Sequence, residues 1–227
     1  MPISVTNLGT NTFSAVTTVN ITTTATSAAG GAILVVLSLA ASSAWTCSDS
    51  GGNTYTALAD NLYNTNRHLM MFYIANNALL ASGGTITISW TTSAAGKCAA
   101  CYLAGAATAS PVDVIGTKAT GTATSSTVST GTLAQSDELV VGIVSQTSDP
   151  GTWTEASGFT AINNPTAATG DNPRWAYQVV ASTASVTYAP AWLTSRAYGT
   201  NIYSFKAAAA TVSGSFSRAQ PIDYLSI

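Results

Sequence analysis

The chain states one pattern twice. Ile33-Leu34-Val35-Val36 is echoed by Glu138-Leu139-Val140-Val141, and Trp45-Thr46 by Trp153-Thr154. Tyr55-Thr56-Ala57-Leu58 returns as Phe159-Thr160-Ala161-Ile162, and Met71 and Tyr73 return as Trp175 and Tyr177, both at an offset of 104 (159 − 55 and 175 − 71). Ile86-Thr87-Ile88 reads again as Val186-Thr187-Tyr188, and Cys101-Tyr102-Leu103 as Tyr203-Ser204-Phe205. One order at nearly one spacing means two copies of one folding plan. Each copy repeats core positions and neither repeats a reactive group, which favours a scaffold over an enzyme.

Period-2 alternation and β-branched residues dominate both copies. The pattern predicts strands near 13–23, 32–40, 54–58, 68–75, 85–91 and 98–104. A second set is expected near 126–133, 138–145, 159–162, 174–181, 184–188 and 200–206. Turn chemistry separates them, as in Asp49-Ser50-Gly51-Gly52-Asn53, Ser82-Gly83-Gly84 and Asp149-Pro150-Gly151. Many short strands with regular turns point to an all-β fold, an antiparallel β-sandwich of jelly-roll or Ig-like type, internally duplicated. No amphipathic helix stands out, and 75–80 offers at most one helical turn. The expected organisation is a first sandwich repeat over 1–115, a second over 116–206 with the junction near 111–122, and an extended C-terminal arm over 207–227. That arm carries Phe216, Ile222, Tyr224, Leu225 and Ile227, read either as a strand-like end laid on its own domain or as candidates to add to a neighbouring subunit.

Composition narrows the function. Only 7% of residues are charged, far below the roughly 25% of an average soluble domain. Thr, Ser, Ala, Gly and Asn fill the space, so little charge has to be desolvated when such faces meet other proteins. Seven basic residues against nine acidic ones cannot make a phosphate-tracking stripe, so nucleic acid is not an expected partner. The longest apolar run, 32–41, is about half the roughly 20 residues of a spanning helix, so no membrane partner is expected either. Met1-Pro2-Ile3-Ser4-Val5 lacks the basic start and apolar block of a signal peptide, so the expectation is synthesis in a cytoplasm without classical export.

Chemistry-bearing residues are few. The single histidine, His68, opens an apolar strand with no acid recognisably paired to it, and reads as structural. Cys98 and Cys101 have the spacing of a metal or redox pair, but residues three apart on a strand face opposite ways. With Cys47 they form no disulfide set and no zinc site. The Asp49–Asn53 loop has too few carboxylates for calcium. Asp137, Glu138, Asp149, Glu155 and Asp171 would matter as a glycosidase pair only if two faced each other across a cleft. Trp45, Trp90, Trp153, Trp175 and Trp192 offer flat faces for sugar rings, but the recurrence of Trp45 and Trp153 favours packing. No catalytic residue, metal or cofactor is therefore expected.

The succession Ile33–Val36, Asp49-Ser50-Gly51-Gly52-Asn53-Thr54-Tyr55, Met71–Ala78 and Gly84–Trp90, followed by Leu103–Ala106, Pro111-Val112-Asp113 and Asp137–Val141, resembles a phage structural β-sandwich family across most of residues 12–206. The resemblance implies a non-enzymatic virion protein: capsid decoration, head fibre or tail component. It implies contacts with copies of itself and with capsid or tail subunits, made in the host cytoplasm. It carries no catalytic residue. The alternative expectation is a carbohydrate-binding or adhesive module built on an exposed tryptophan.

Overall fold

The computed structural model describes residues 3–40, 44–165 and 171–209. In chain order its strands are β1 (Ser4–Thr22), β2 (Ala32–Leu39), β3 (Thr46–Asp49), β4 (Thr56–Ala57), β5 (Asn61–Tyr63), β6 (Arg67–Ala75), β7 (Thr85–Ala104), β8 (Val112–Ser125), β9 (Val128–Ser129), β10 (Glu138–Gln146), β11 (Trp153–Thr154), β12 (Thr160–Ala161), β13 (Asn172–Val180), β14 (Thr187–Tyr188) and β15 (Ala191–Lys206). The described residues contain no helix. The expected turn at 75–80 is instead a loop gathered by buried Asn77, whose amide donates to Ser27 Oγ and to the carbonyls of Ala28 and Ala78.

Two antiparallel sheets follow one plan. The first runs β1-β7-β2-β6-β4, with β3 on β7 and β5 on β6. In the second, β15 is flanked by β10, β8 and β11, and β10 leads on to β13 and β12. Matching β8 to β1 and β11 to β3 makes the orders the same. The expected all-β, duplicated, antiparallel sandwich is thus the observed fold.

β2 and β10 are buried at every position, which explains their largely apolar stretches at 32–37 and 139–144. On β2, Ile33, Val35, Leu37 and Leu39 face an outer core with Trp90, Ile86 and Phe13, while Leu34 and Val36 face the second sheet. On β10, Val140 and Val144 face an outer core with Tyr188 and Trp192, while Leu139, Val141 and Ile143 face the first sheet. The molecule therefore has three apolar layers: one outside each sheet and one shared between them. The outer layers are closed because the long strands bend over. β7 pairs with β2 through 96–103 and with β3 through 86–89, while β1 follows it along its whole length.

Pairing also fixes how the copies align. Leu34 lies opposite Tyr73 and Cys101, and Val141 lies opposite Tyr177 and Tyr203. Leu34 thus corresponds to Val141 (141 − 34 = 107), Tyr73 to Tyr177 and Cys101 to Tyr203. Ile33–Val36 corresponds to residues 140–143 rather than to 138–141. Counting back from Trp192, which pairs with Trp153 as Trp90 lies level with Trp45, Ile86 corresponds to Tyr188. Both differences from the sequence match are two residues, the one slip that leaves every side chain on its face.

Three strand expectations are corrected. The segments 85–91 and 98–104 are one strand, because the intervening residues stay on β1 through a bulge, with Gly96 opposite Phe13 and Ala94 opposite Val16. β1 starts at Ser4, earlier than the expected 13. β8 runs through the expected junction and pairs with β15, whereas only Val128–Ser129 is strand within 126–133. β8 escapes a period-2 reading because neither of its faces is buried.

Candidate functional site

Two features of the fold are built for contact: the sheet edges and the seam between the sheets. β1 pairs with β7 alone and β8 with β15 alone, so each leaves one edge without a strand partner among the described residues. β1 has 19 residues and no charged side chain. β8 has 14 residues, none buried, with Asp113 and Lys118 its only charges. Ile115, the fourth residue of β8, is 49% exposed. Natural edges are usually guarded by charge, proline or bulges. β1 has three register shifts, and Ala15 sits at φ 53, but β1 has no charge and β8 only two.

The seam is apolar along most of its length and polar at one end. There Ser38 Oγ meets Ser145 Oγ at 2.8 Å, and the Tyr63 hydroxyl lies 3.1 Å from Ser38 Oγ, 2.8 Å from Ser145 Oγ and 3.1 Å from Asp171 Oδ1. Arg67 pairs with the same Asp171 carboxylate, and Lys97 Nζ donates to Asn172 Oδ1 at 2.7 Å. Gly199 makes room for Tyr63, since a Cβ there would lie 2.7 Å from the ring. Lys97 and Asp171 are both almost fully buried. Burial pushes the Lys97 ammonium below its ordinary range, with Asp171 pulling it back. Burial likewise raises the Asp171 carboxyl, against the pull of Arg67, Tyr63 and Lys97. A cavity of about 230 Å³ borders this cluster between Phe13, Ala40, Gly96 and Arg67. Further along the seam, Asn61 Nδ2 donates to Asn201 Oδ1 at 2.7 Å, and Asn201 Nδ2 to the Tyr203 hydroxyl at 2.8 Å.

The expected arm residues Phe216, Ile222, Tyr224, Leu225 and Ile227 lie outside the described residues. His68 is buried as expected, but an acid does pair with it: Asp60 Oδ2 lies 2.7 Å from Nδ1, and Trp45 packs on the ring at 5.1 Å. Asp60 is eight residues upstream across a turn, a separation that strand periodicity does not flag. Cys98 faces the first outer core and Cys101 the seam, as their spacing predicts. Both thiols are raised by burial, Cys98 to about 12. Asp49 is consumed by its own loop, accepting from the Gly51 and Asn53 backbones, the Asn53 amide and the Tyr55 hydroxyl.

Asp149 and Glu155 are also engaged. Asp149 accepts from the Gly151 N–H, and Glu155 holds the Trp153 indole N–H and the Ala156 N–H. Glu138 is fully buried. Burial raises its carboxyl, the Ser204 hydroxyl opposes, and the neighbouring Asp113 carboxyl adds to the rise. Trp90, Trp175 and Trp192 are buried. The Trp153 ring stacks on Trp192 at 5.7 Å and lies 5.0 Å from the Arg174 guanidinium, so packing engages this half-buried tryptophan.

Sequence reading missed the polar end of the seam. Two signals were present: Lys97 interrupts an otherwise small and apolar run, and Arg67 and Asp171 sit 104 apart (171 − 67), the spacing of the repeat. No family model, no curated protein and no solved structure matches this chain.

Proposed function

We propose that this chain is a non-enzymatic structural protein of a bacteriophage particle, acting by protein–protein assembly as a capsid decoration, head fibre or tail component. Its partners are copies of itself and other virion subunits. The observation that carries the assembly reading is the pair of long, charge-poor edges, β1 and β8, each bonded on one side only. Such edges bind extended chain through backbone hydrogen bonds, with side chains setting selectivity. Weak surface charge makes these contacts insensitive to salt, and many weak contacts on a lattice add up through avidity. The resemblance of the strand and turn motifs supplies the virion assignment. The arm over 211–227 is the segment proposed to reach a neighbour.

Light scattering on a sizing column tests this with the full chain. The expected result is a discrete closed oligomer whose mass is unchanged between low and high salt. Deleting 211–227, or placing Lys at Ile115 in β8, is expected to shift the mass towards monomer while the circular dichroism spectrum stays β-rich. A full chain that stays monomeric at millimolar concentration, or an oligomer indifferent to both changes, overturns self-assembly.

A further inference from the structure

The residues that meet across the polar end of the seam are each other's counterparts. Ser38 corresponds to Ser145 at the β2/β10 offset (145 − 38 = 107), and their hydroxyls are in contact. Arg67 corresponds to Asp171 at the β6/β13 offset, and they form an ion pair. A residue that touches its own counterpart marks a two-fold axis. Contacts away from the axis are reciprocal: β13 touches β7, and β15, the counterpart of β7, touches β6, the counterpart of β13. The apolar middle repeats this. Ala32 and Leu139, Leu34 and Val141, Val36 and Ile143, Met71 and Trp175, Cys101 and Tyr203, and Leu103 and Phe205 are counterparts, and all lie in the shared core. A self-complementary patch used by both partners is the signature of a two-fold homodimer interface.

We propose that the inner face of each copy is a docking surface for the other, inherited from a two-fold dimer of a single copy, and that residues at the axis have diverged to make the docking selective. Two pairs carry the selection. Arg67 faces Asp171, so pairing the first copy with itself sets Arg67 against Arg67, and pairing the second with itself sets two carboxylates together. Tyr63 fills the space over Gly199, whose counterpart in the first copy is Lys97 (199 − 97 = 102), a side chain that closes that space. Opposite charges and a knob matched to a hole reject the like pairings as well as favouring the observed one. This inference does not depend on the virion reading.

The test uses the full chain with a protease site inserted at 107–110, between β7 and β8. After cutting, the two pieces are expected to remain a 1:1 complex. When cut chains carrying a mass label are mixed with unlabelled ones, exchange is expected to yield only first-copy with second-copy pairs. In the cut chain, Asp171→Arg is expected to weaken association at least tenfold, and adding Arg67→Asp is expected to restore it. Pieces that part on cutting overturn the docking surface. Like-with-like pairs at statistical abundance overturn the selection. A double exchange no tighter than Asp171→Arg alone overturns the equivalence of the two positions.

Discussion

The two outer cores solve the same packing problem with different residues. In the first copy the pair Val35 and Ile86 lies under the bent strands, both fully buried. Their counterparts are Gly142 and Tyr188. The second copy has given up a side chain on the central strand and gained a ring above it: a Cβ on Gly142 would lie 2.3 Å from Tyr188 Cγ. At the end of the central strand and on its neighbour, Leu39 and Met70 correspond to Gln146 and Arg174. Buried atoms of both, the Gln146 amide and the Arg174 Nε, have no hydrogen-bond partner, and the Arg174 guanidinium lies over Trp153. Duplication preserved strand order and faces while leaving volume and polarity to drift. At Gly142 and Tyr188 the lost side chain and the added ring compensate locally, the kind of exchange that packed cores tolerate best.

The sharpest way to break this comparison is to transplant one residue of the pair. Gly142→Val gives the second copy its counterpart's side chain without removing the ring. It is expected to cost about 3 kcal/mol or more, because the clash is with the body of a ring in a closed core. Adding Tyr188→Ile completes the transplant and is expected to recover most of the loss. Tyr188→Ile alone leaves a cavity and costs about 3 kcal/mol. A double-mutant cycle by urea denaturation reads the coupling. Additive costs would mean that the two positions do not trade volume.

The seam should respond next. Asp171→Ala leaves Arg67 without its carboxylate and the Tyr63 hydroxyl without one acceptor. The expected loss is about 2 kcal/mol, below the full cost of breaking a buried pair because Arg67 is partly exposed. The equivalent test in an outer core, Gln146→Leu, restores the residue of the first copy and is expected to be neutral or stabilising, since its amide atoms are unpartnered. A thermal melt of each variant separates a seam that uses its polar groups from a core that merely contains them.

What could be read from sequence divides along physical lines. β2, β6 and β10 were legible because both their faces are buried and they carry long apolar runs. The faces of the repeat were legible to within two residues, because burial constrains which face a side chain takes and not where along the strand it sits. β8 was hidden, since an edge strand exposed on both faces has no reason to alternate. The unity of β7 was hidden for a related reason: the small residues Ala94, Ala95 and Gly96 carry no strand signal of their own. The separation of Cys98 and Cys101 followed from strand geometry alone. The seam cluster did not, because Ser38, Tyr63, Lys97 and Asp171 come from four distant segments, and only tertiary pairing brings their polar atoms together.

The smallest expected effect tests whether polar residues at the start of a central strand follow the same logic as those at its end. Glu138 opens β10 fully buried, beside the Asp113 carboxyl. Its carboxyl titrates above its ordinary value of 4.5 in the folded state. A raised acid contributes its full stability below the unfolded-state value and loses it as pH rises through the folded-state value. The native chain should therefore lose stability as pH climbs from about 4.5 through that raised value. Glu138→Gln keeps the shape, removes the charge and provides a donor towards Asp113. It is expected to match the native chain near pH 4 and to exceed it by about 1 kcal/mol at pH 7. Parallel melts of the two proteins from pH 4 to pH 8 measure the gap. A gap that stays constant across the range would mean that burial does not hold this proton, and that the start of β10 differs from its end in more than the sign of its polar groups.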